Sequence, residues 1–179
     1  MTESKQPISR SEWVCQALDR YEGPLTRYAA RIVGDVDRAR DVVQDTFLRL
    51  CSQDQAELDG RLPEWLFTVC RNRALDVRRK DRRMKGLTEA HTNDQVSHDP
   101  SPDAAAEGQD TTHRVLHLLG GLPDNQQEVV RLKFQNGLSY RQISEITELT
   151  VSNVGYLIHT AIKTLRTKLN SEPGFFTKA

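Results

Sequence analysis

Apolar residues recur at spacings of three and four along almost the whole of this chain, and no stretch alternates apolar with polar for more than a few residues. A helix turns about 100° per residue, so this spacing gathers the apolar groups into one stripe, whereas a half-buried strand needs a period of two. The expectation is an all-α fold. Leu18, Tyr21, Leu25, Tyr28, Ala29 and Ile32 define a first helix, which Gly34-Asp35 ends. Asp37 is the expected cap of a second helix, with Ala39, Val42, Val43, Thr46, Phe47 and Leu50 on its apolar side. A polar loop, 52–61, leads to a third helix that Pro63 suits in its first turn. It carries Leu66, Phe67, Cys70, Ala74, Leu75 and Val77 and dissolves into the basic run at 78–83.

Between about Gly86 and Asp110 the periodicity disappears. The segment TEAHTNDQVSHDPSPDAAAEGQD is acidic, with two prolines and little aliphatic content, and cannot bury enough apolar surface to offset the entropy of ordering it. Helical spacing returns at Val115, Leu116, Leu118 and Leu119 and breaks at Leu122-Pro123. It then runs through helices over 123–134, from Ser139 past Ile143 and Ile146, and from 152 to about 170. The chain reads as two small helical domains, 10–85 and 112–171, joined by a flexible acidic linker, 86–111.

Zero net charge, from 25 basic and 25 acidic residues among 179, at first argues against a nucleic-acid partner. The distribution argues for one. Residues 71–85 hold 8 basic and 2 acidic groups, and residues 86–111 hold 6 acidic and no basic groups. A neutral chain that segregates its charges this sharply uses them for separate tasks. Along the third helix, Arg71, Asn72, Leu75, Arg78, Arg79 and Arg82 share a stripe able to follow a phosphate backbone, with Asn72 placed to hydrogen-bond a base and Trp65 to stack on one. An ordinary solvated face is the bland alternative for the stripe, and a core position for Trp65.

Residues 138–166 carry the sharpest local pattern: a short helix, a tight turn and a second helix with a polar first half, as in a DNA-reading helix-turn-helix. Ile143 and Ile146 are expected to pack against Val154 and Ile158, with the small Ser144 where the backbones approach and Thr150 or Ser152 as cap. Ser152, Asn153, Tyr156 and His159 lie nearest the bases, and phosphate contacts fall to Arg141, Lys163, Arg166 and Lys168. A plain αα-hairpin has the same outline. On the second helix, Asp41, Gln44, Asp45 and Leu48 fall opposite Val43, Phe47 and Leu50, an exposed leucine ringed by acids that suits docking of a basic partner helix.

The three cysteines form no CxxC pair, and Cys51 and Cys70 sit among apolar residues, where a small buried hydrophobe is the expected role. The first ten residues lack an apolar signal core, no run approaches a membrane span, and a cytoplasmic location is expected. No HExxH, GxSxG or glycine-rich phosphate loop is present. His113 and His117 share a helix face without a nearby third ligand, so no metal and no cofactor are expected.

In order along the chain, LTRYAARIVGDVDRARDVVQDTFLRL (25–50), PEWLFTVCRNRALDVRRKDRR (63–83) and LPDNQQEVVRLKFQNGLSYRQISEITELTVSNVGYLIHTAIKTLRTKL (122–169) resemble the extracytoplasmic-function sigma factors of bacterial RNA polymerase, members of the sigma-70 superfamily. The resemblance covers about three quarters of the chain. It implies a protein that is not itself an enzyme, and that directs core polymerase to promoters and aids their opening. Asp41, Gln44, Asp45 and Leu48 become core-binding candidates. Trp65, Arg71, Asn72, Arg78, Arg79 and Arg82 become contacts to the −10 element. Arg141, Ser152, Asn153, Tyr156, His159, Lys163 and Arg166 become contacts to the −35 element. Implied partners are core polymerase, promoter DNA and an anti-sigma factor, with no small-molecule substrate and no membrane insertion. Two departures stand out. Gly155, Leu157, Thr160 and Ile162 occupy recognition-helix positions where the family commonly has Lys or Arg, leaving apolar groups open to a protein contact. Glu148 stands where the turn often has glycine. A one-component helix-turn-helix regulator is the main alternative, and a DNA-cutting or DNA-joining enzyme the third.

Overall fold

The computed structural model describes residues 9–86 and 115–171. The linker expected over 86–111, His113 and the tail from Glu172 lie outside the described residues, save that Gly86 ends a helix. The chain divides into two units, Met1–Val96 and Ser97–Ala179. Every regular element among the described residues is helical.

The first unit is built from α1 (Arg10–Val33), α2 (Val36–Leu50) and α3 (Leu62–Gly86). Ser9 and Glu12 form a capping box at the start of α1. The Ser9 hydroxyl accepts from the Glu12 amide at 3.3 Å, and the Glu12 carboxylate accepts from the Ser9 amide at 2.8 Å. Gly34 ends α1 in the left-handed region, φ 78°, where a side chain would be strained. Asp35, not Asp37, caps α2: its carboxylate accepts from the Arg38 amide at 2.8 Å, while Asp37 lies in the first turn. Asp35 follows the left-handed glycine in extended backbone, the conformation an N-cap requires.

All six apolar-side residues expected of α2 are buried. They meet Leu25, Tyr28 and Ala29 of α1 and Leu66, Phe67, Cys70 and Ala74 of α3 in one core, where the Tyr28 and Phe67 rings cross edge to face at 5.4 Å. Thr46 is buried without an orphaned hydroxyl, because it donates to the Val42 carbonyl at 2.8 Å. Further features differ from the sequence reading, among them Leu18, which is exposed although its spacing places it on the apolar stripe of α1. Cys51 is exposed rather than buried, since α2 has already ended at Leu50. The 52–61 segment contains a 3-10 turn, Ala56–Leu58, that tucks Leu58 into the core. The helix α3 continues through the basic run, as strong helix propensity of Arg and Lys allows.

The second unit contains helical residues 115–120 (α4), then α5 (Asp124–Phe134), α6 (Tyr140–Thr147) and α7 (Val151–Ser171). Its core holds Leu119, Leu122, Val129, Val130 and Leu132, with Ile143 and Ile146 of α6 and Val154, Ile158 and Ala161 of α7. Ser139 caps α6 in a box with Gln142. Thr150, one of the two residues offered as cap, caps α7 in place of Ser152, accepting from the Asn153 amide at 3.2 Å.

Candidate functional site

Each unit carries surface groups that its core does not use. On α2, the residues that fill the core leave Asp41, Gln44 and Leu48 exposed on the opposite side, with Asp45 half-buried at its margin. Leu48 is 63% exposed, one turn beyond Gln44 and Asp45 and two beyond Asp41 on the same side of α2. Asp45 is already engaged: its Oδ2 accepts from Arg73 Nε of α3 at 2.7 Å. Sequence spacing did not single out Arg73. It sits beside Cys70 and Ala74 at the edge of the α3 core face, a position from which a long side chain reaches the neighbouring helix.

The basic run of α3 is partly neutralised within the unit. Asp81 pairs with Arg38 of α2, and Asp76 takes Arg79 at 3.0 Å. Arg78, Lys80, Arg82 and Arg83 have no carboxylate partner among the described residues. Arg82, Arg83 and Lys80 are exposed and Arg78 is half-buried. Arg73, Asp76, Arg79, Lys80 and Arg83 line a shallow depression along α3. Lys80 and Arg83 therefore add cations to α3, but on its other flank: at 100° per residue they point well away from Arg71, Arg78 and Arg82, with Arg79 between the two sets. Arg71 is half-buried, Asn72 is exposed, and Trp65 is half-buried in the first turn of α3. Arg71, Arg78 and Arg82 share one flank of this helix, so a straight polyanion can run along them.

In the second unit, α6 and α7 form the helix-turn-helix. Ser144 fills the expected place between them in a specific way: its hydroxyl donates to the Leu149 carbonyl at 2.5 Å and ties α6 to the turn. Glu148 adopts the left-handed conformation, φ 61° and ψ 23°, that a glycine would take without strain. The turn geometry is thus preserved although the residue differs. Gly155 is accommodated inside α7, where an added Cβ would meet the Tyr140 ring at 3.7 Å, an ordinary contact.

Ser152, Asn153, Tyr156, His159 and Lys163 are all exposed on one side of α7, and Tyr156 is 66% exposed. Arg141 lies exposed at the start of α6 with Glu145 3.6 Å away, and Arg166 is exposed further along α7. Of the apolar recognition-helix residues expected to be open to a partner, Leu157 is buried and Gly155, Thr160 and Ile162 are half-buried. They serve the packing of the unit, which corrects that expectation. Among the described residues no group of His, Cys, Asp or Glu is arranged to hold a metal ion, and no helix is long and apolar enough to cross a membrane.

Residues 17–84 match the family described as Sigma-70 region 2, and residues 112–165 match Sigma-70, region 4. The chain is 31% identical over 155 residues to the ECF RNA polymerase sigma factor SigL of Mycobacterium tuberculosis, spanning 84% of this chain and 85% of that protein. It is 26% identical over 161 residues to the ECF RNA polymerase sigma factor SigW of Bacillus subtilis, spanning 85% and 86%. Among solved structures, the sigma factor RpoE, co-crystallised with the anti-sigma factor NepR from Bartonella quintana, is alike in fold. It superposes with a TM-score of 0.66 over 90% of this chain and 99% of that one, at 23% identity. Two family matches in the expected order and a relative alike over most of both chains settle the assignment: this chain belongs to the extracytoplasmic-function RNA polymerase sigma factors of the sigma-70 superfamily.

Proposed function

We propose that this chain binds bacterial core RNA polymerase through α2, holds the opening −10 element along α3 and reads the −35 element with α7. The observation that carries the reading is the exposed Leu48 beside Asp41, Gln44 and Asp45 on α2, on the same small unit as a separate cationic surface on α3. A protein that only bound DNA would gain nothing from an acidic apolar face, since acids repel phosphate. The acidic face suits a basic helix of the polymerase, and the cationic face suits separated DNA strands.

On α2, Asp41, Gln44 and Leu48 make the docking contacts, and Asp45 supports them from its pairing with Arg73. On α3, Arg71, Asn72, Arg78, Arg79 and Arg82 follow the backbone, and the half-buried Trp65 stacks on an extruded base. On α7, Ser152, Asn153, Tyr156 and His159 face base edges while Arg141, Lys163 and Arg166 hold phosphates. The working domains are 10–85 and 112–171, with 86–111 as tether. The chain acts by binding and the polymerase supplies the chemistry. It works in the cytoplasm, where an anti-sigma factor competes with the polymerase for it.

Transcription in vitro with purified core polymerase and genomic fragments tests this. Discrete promoter-dependent transcripts are expected only when the chain is added. Unchanged transcription with and without it would leave the helix-turn-helix regulator as the better reading.

A further inference from the structure

The reading side of α7 carries no fixed charge. From Val151 to Ile162 there is no Asp, Glu, Lys or Arg, and the groups exposed there are Val151, Ser152, Asn153, Tyr156 and His159. The first cation on that side, Lys163, lies ten residues beyond Asn153, about 15 Å along the helix axis. That separation spans about four base-pair steps at 3.4 Å each. When the first turns of α7 enter a groove, Lys163 is thus left near the backbone.

Guanine is recognised in the major groove chiefly by Arg or Lys donating to O6 and N7, whereas Asn pairs with adenine N6 and N7, and apolar or aromatic groups contact the thymine methyl. Arg141 reaches from the start of α6, outside the reading helix, and its neighbour Glu145 already draws on its charge. The most prominent group on the reading side is the Tyr156 ring, 66% exposed one turn beyond Asn153.

Resting on the assignment of α7 to the −35 element, we infer that this chain reads an A·T-weighted upstream element, with Asn153 on adenine and Tyr156 on a thymine methyl, and not a guanine-centred one. Specificity comes from methyl and amide contacts, and cations outside the reading turns supply backbone affinity.

The test uses the full chain bound to core polymerase and selection from a duplex library randomised over the upstream segment. An A·T-weighted element is expected to emerge. Replacing its thymines by uracil, which removes only the methyl, is expected to weaken binding about fivefold for the native chain, within the range of one base contact. The loss should persist in Tyr156→Phe and vanish in Tyr156→Ala. Replacing any guanine by 7-deazaguanine, which removes the N7 acceptor, should have little effect. A guanine-centred element sensitive to 7-deazaguanine overturns the inference, as does an unenriched upstream segment beside an enriched downstream one. Both results leave the sigma-factor reading standing; that reading fails separately, if the chain gives no complex with core polymerase.

Discussion

Arg73 of α3 donates its Nε hydrogen to Asp45 of α2 at 2.7 Å, joining the acidic docking helix to the cationic helix behind it. Both side chains are about one-third to two-fifths exposed, so solvent screens the pair and its worth is about 0.5 kcal/mol. Its role is geometric: it fixes Asp45 at the margin of the exposed α2 face and takes up the Arg73 guanidinium. In a double-mutant cycle of Asp45→Ala and Arg73→Ala, followed by urea unfolding, the coupling is expected to stay below about 1 kcal/mol. Asp45→Arg would set two guanidinium groups together and perturb the unit itself, so it is a poor probe of docking.

Leu48 and Asp41 are the cleaner probes. Leu48→Ala is expected to weaken core-polymerase binding by about tenfold, the scale of a buried interface anchor, with the melting temperature unchanged because Leu48 is already exposed in the free protein. Asp41→Lys should slow association and lessen its salt dependence. Surface-immobilised core polymerase and thermal denaturation measure the two readouts.

On α3, Arg78→Ala combined with Arg82→Ala should reduce promoter opening with little loss of core binding. Two lost phosphate contacts should lower the log–log salt slope for single-stranded DNA by about 1.4, at about 0.7 per contact. Permanganate reactivity of the melted region reads the opening, and a salt titration of oligonucleotide binding reads the slope. Normal reactivity in the double variant would remove this surface from the opening step.

Two backbone positions in the helix-turn-helix allow opposite repairs. Glu148 sits at φ 61°, so Glu148→Gly should stabilise the second unit by up to about 1 kcal/mol and Glu148→Val should destabilise it by more. Gly155 lies inside α7 with room for a methyl group against Tyr140, so Gly155→Ala should stabilise by about 0.5–1 kcal/mol. Chemical denaturation of the full chain measures both.

Thiol chemistry should separate the three cysteines. Burial pushes the Cys70 thiol up to about 12, partly offset by a hydrogen bond involving Thr46, while Cys15 and Cys51 are exposed. Alkylation at pH 8 under native conditions should modify Cys15 and Cys51 and spare Cys70, as mass spectrometry of peptides will show. The unfolded chain ionises this thiol near its ordinary value of about 8.5, so its contribution to stability is whole below that pH and is lost as pH rises towards about 12.

The sequence made the helices and their apolar faces legible because periodicity is local. The six core residues of α2 and the crossing of Ile143 and Ile146 with Val154 and Ile158 followed from spacing alone. Residues at boundaries did not follow so directly. Asp35 and Asp37 are both acceptable caps by type, and only the backbone after Gly34 selects Asp35. Cys51 has apolar neighbours in sequence but lies one residue past the helix end, and Leu157 has a surface-like context but turns into the core. The Asp45–Arg73 and Arg38–Asp81 pairs join residues far apart in the chain, so no spacing rule shows them. The exposure of Asp41 and Leu48 was legible; which α3 arginines are already engaged by carboxylates was not.

Binding of the purified full chain to core RNA polymerase at moderate ionic strength, without any inhibitor protein, is the most direct measurement of whether α2 is a docking face. Stoichiometric co-elution that Leu48→Ala weakens is the predicted result. Failure of the folded native chain to co-elute with core polymerase would contradict the assignment of α2, and with it the promoter roles proposed for α3 and α7.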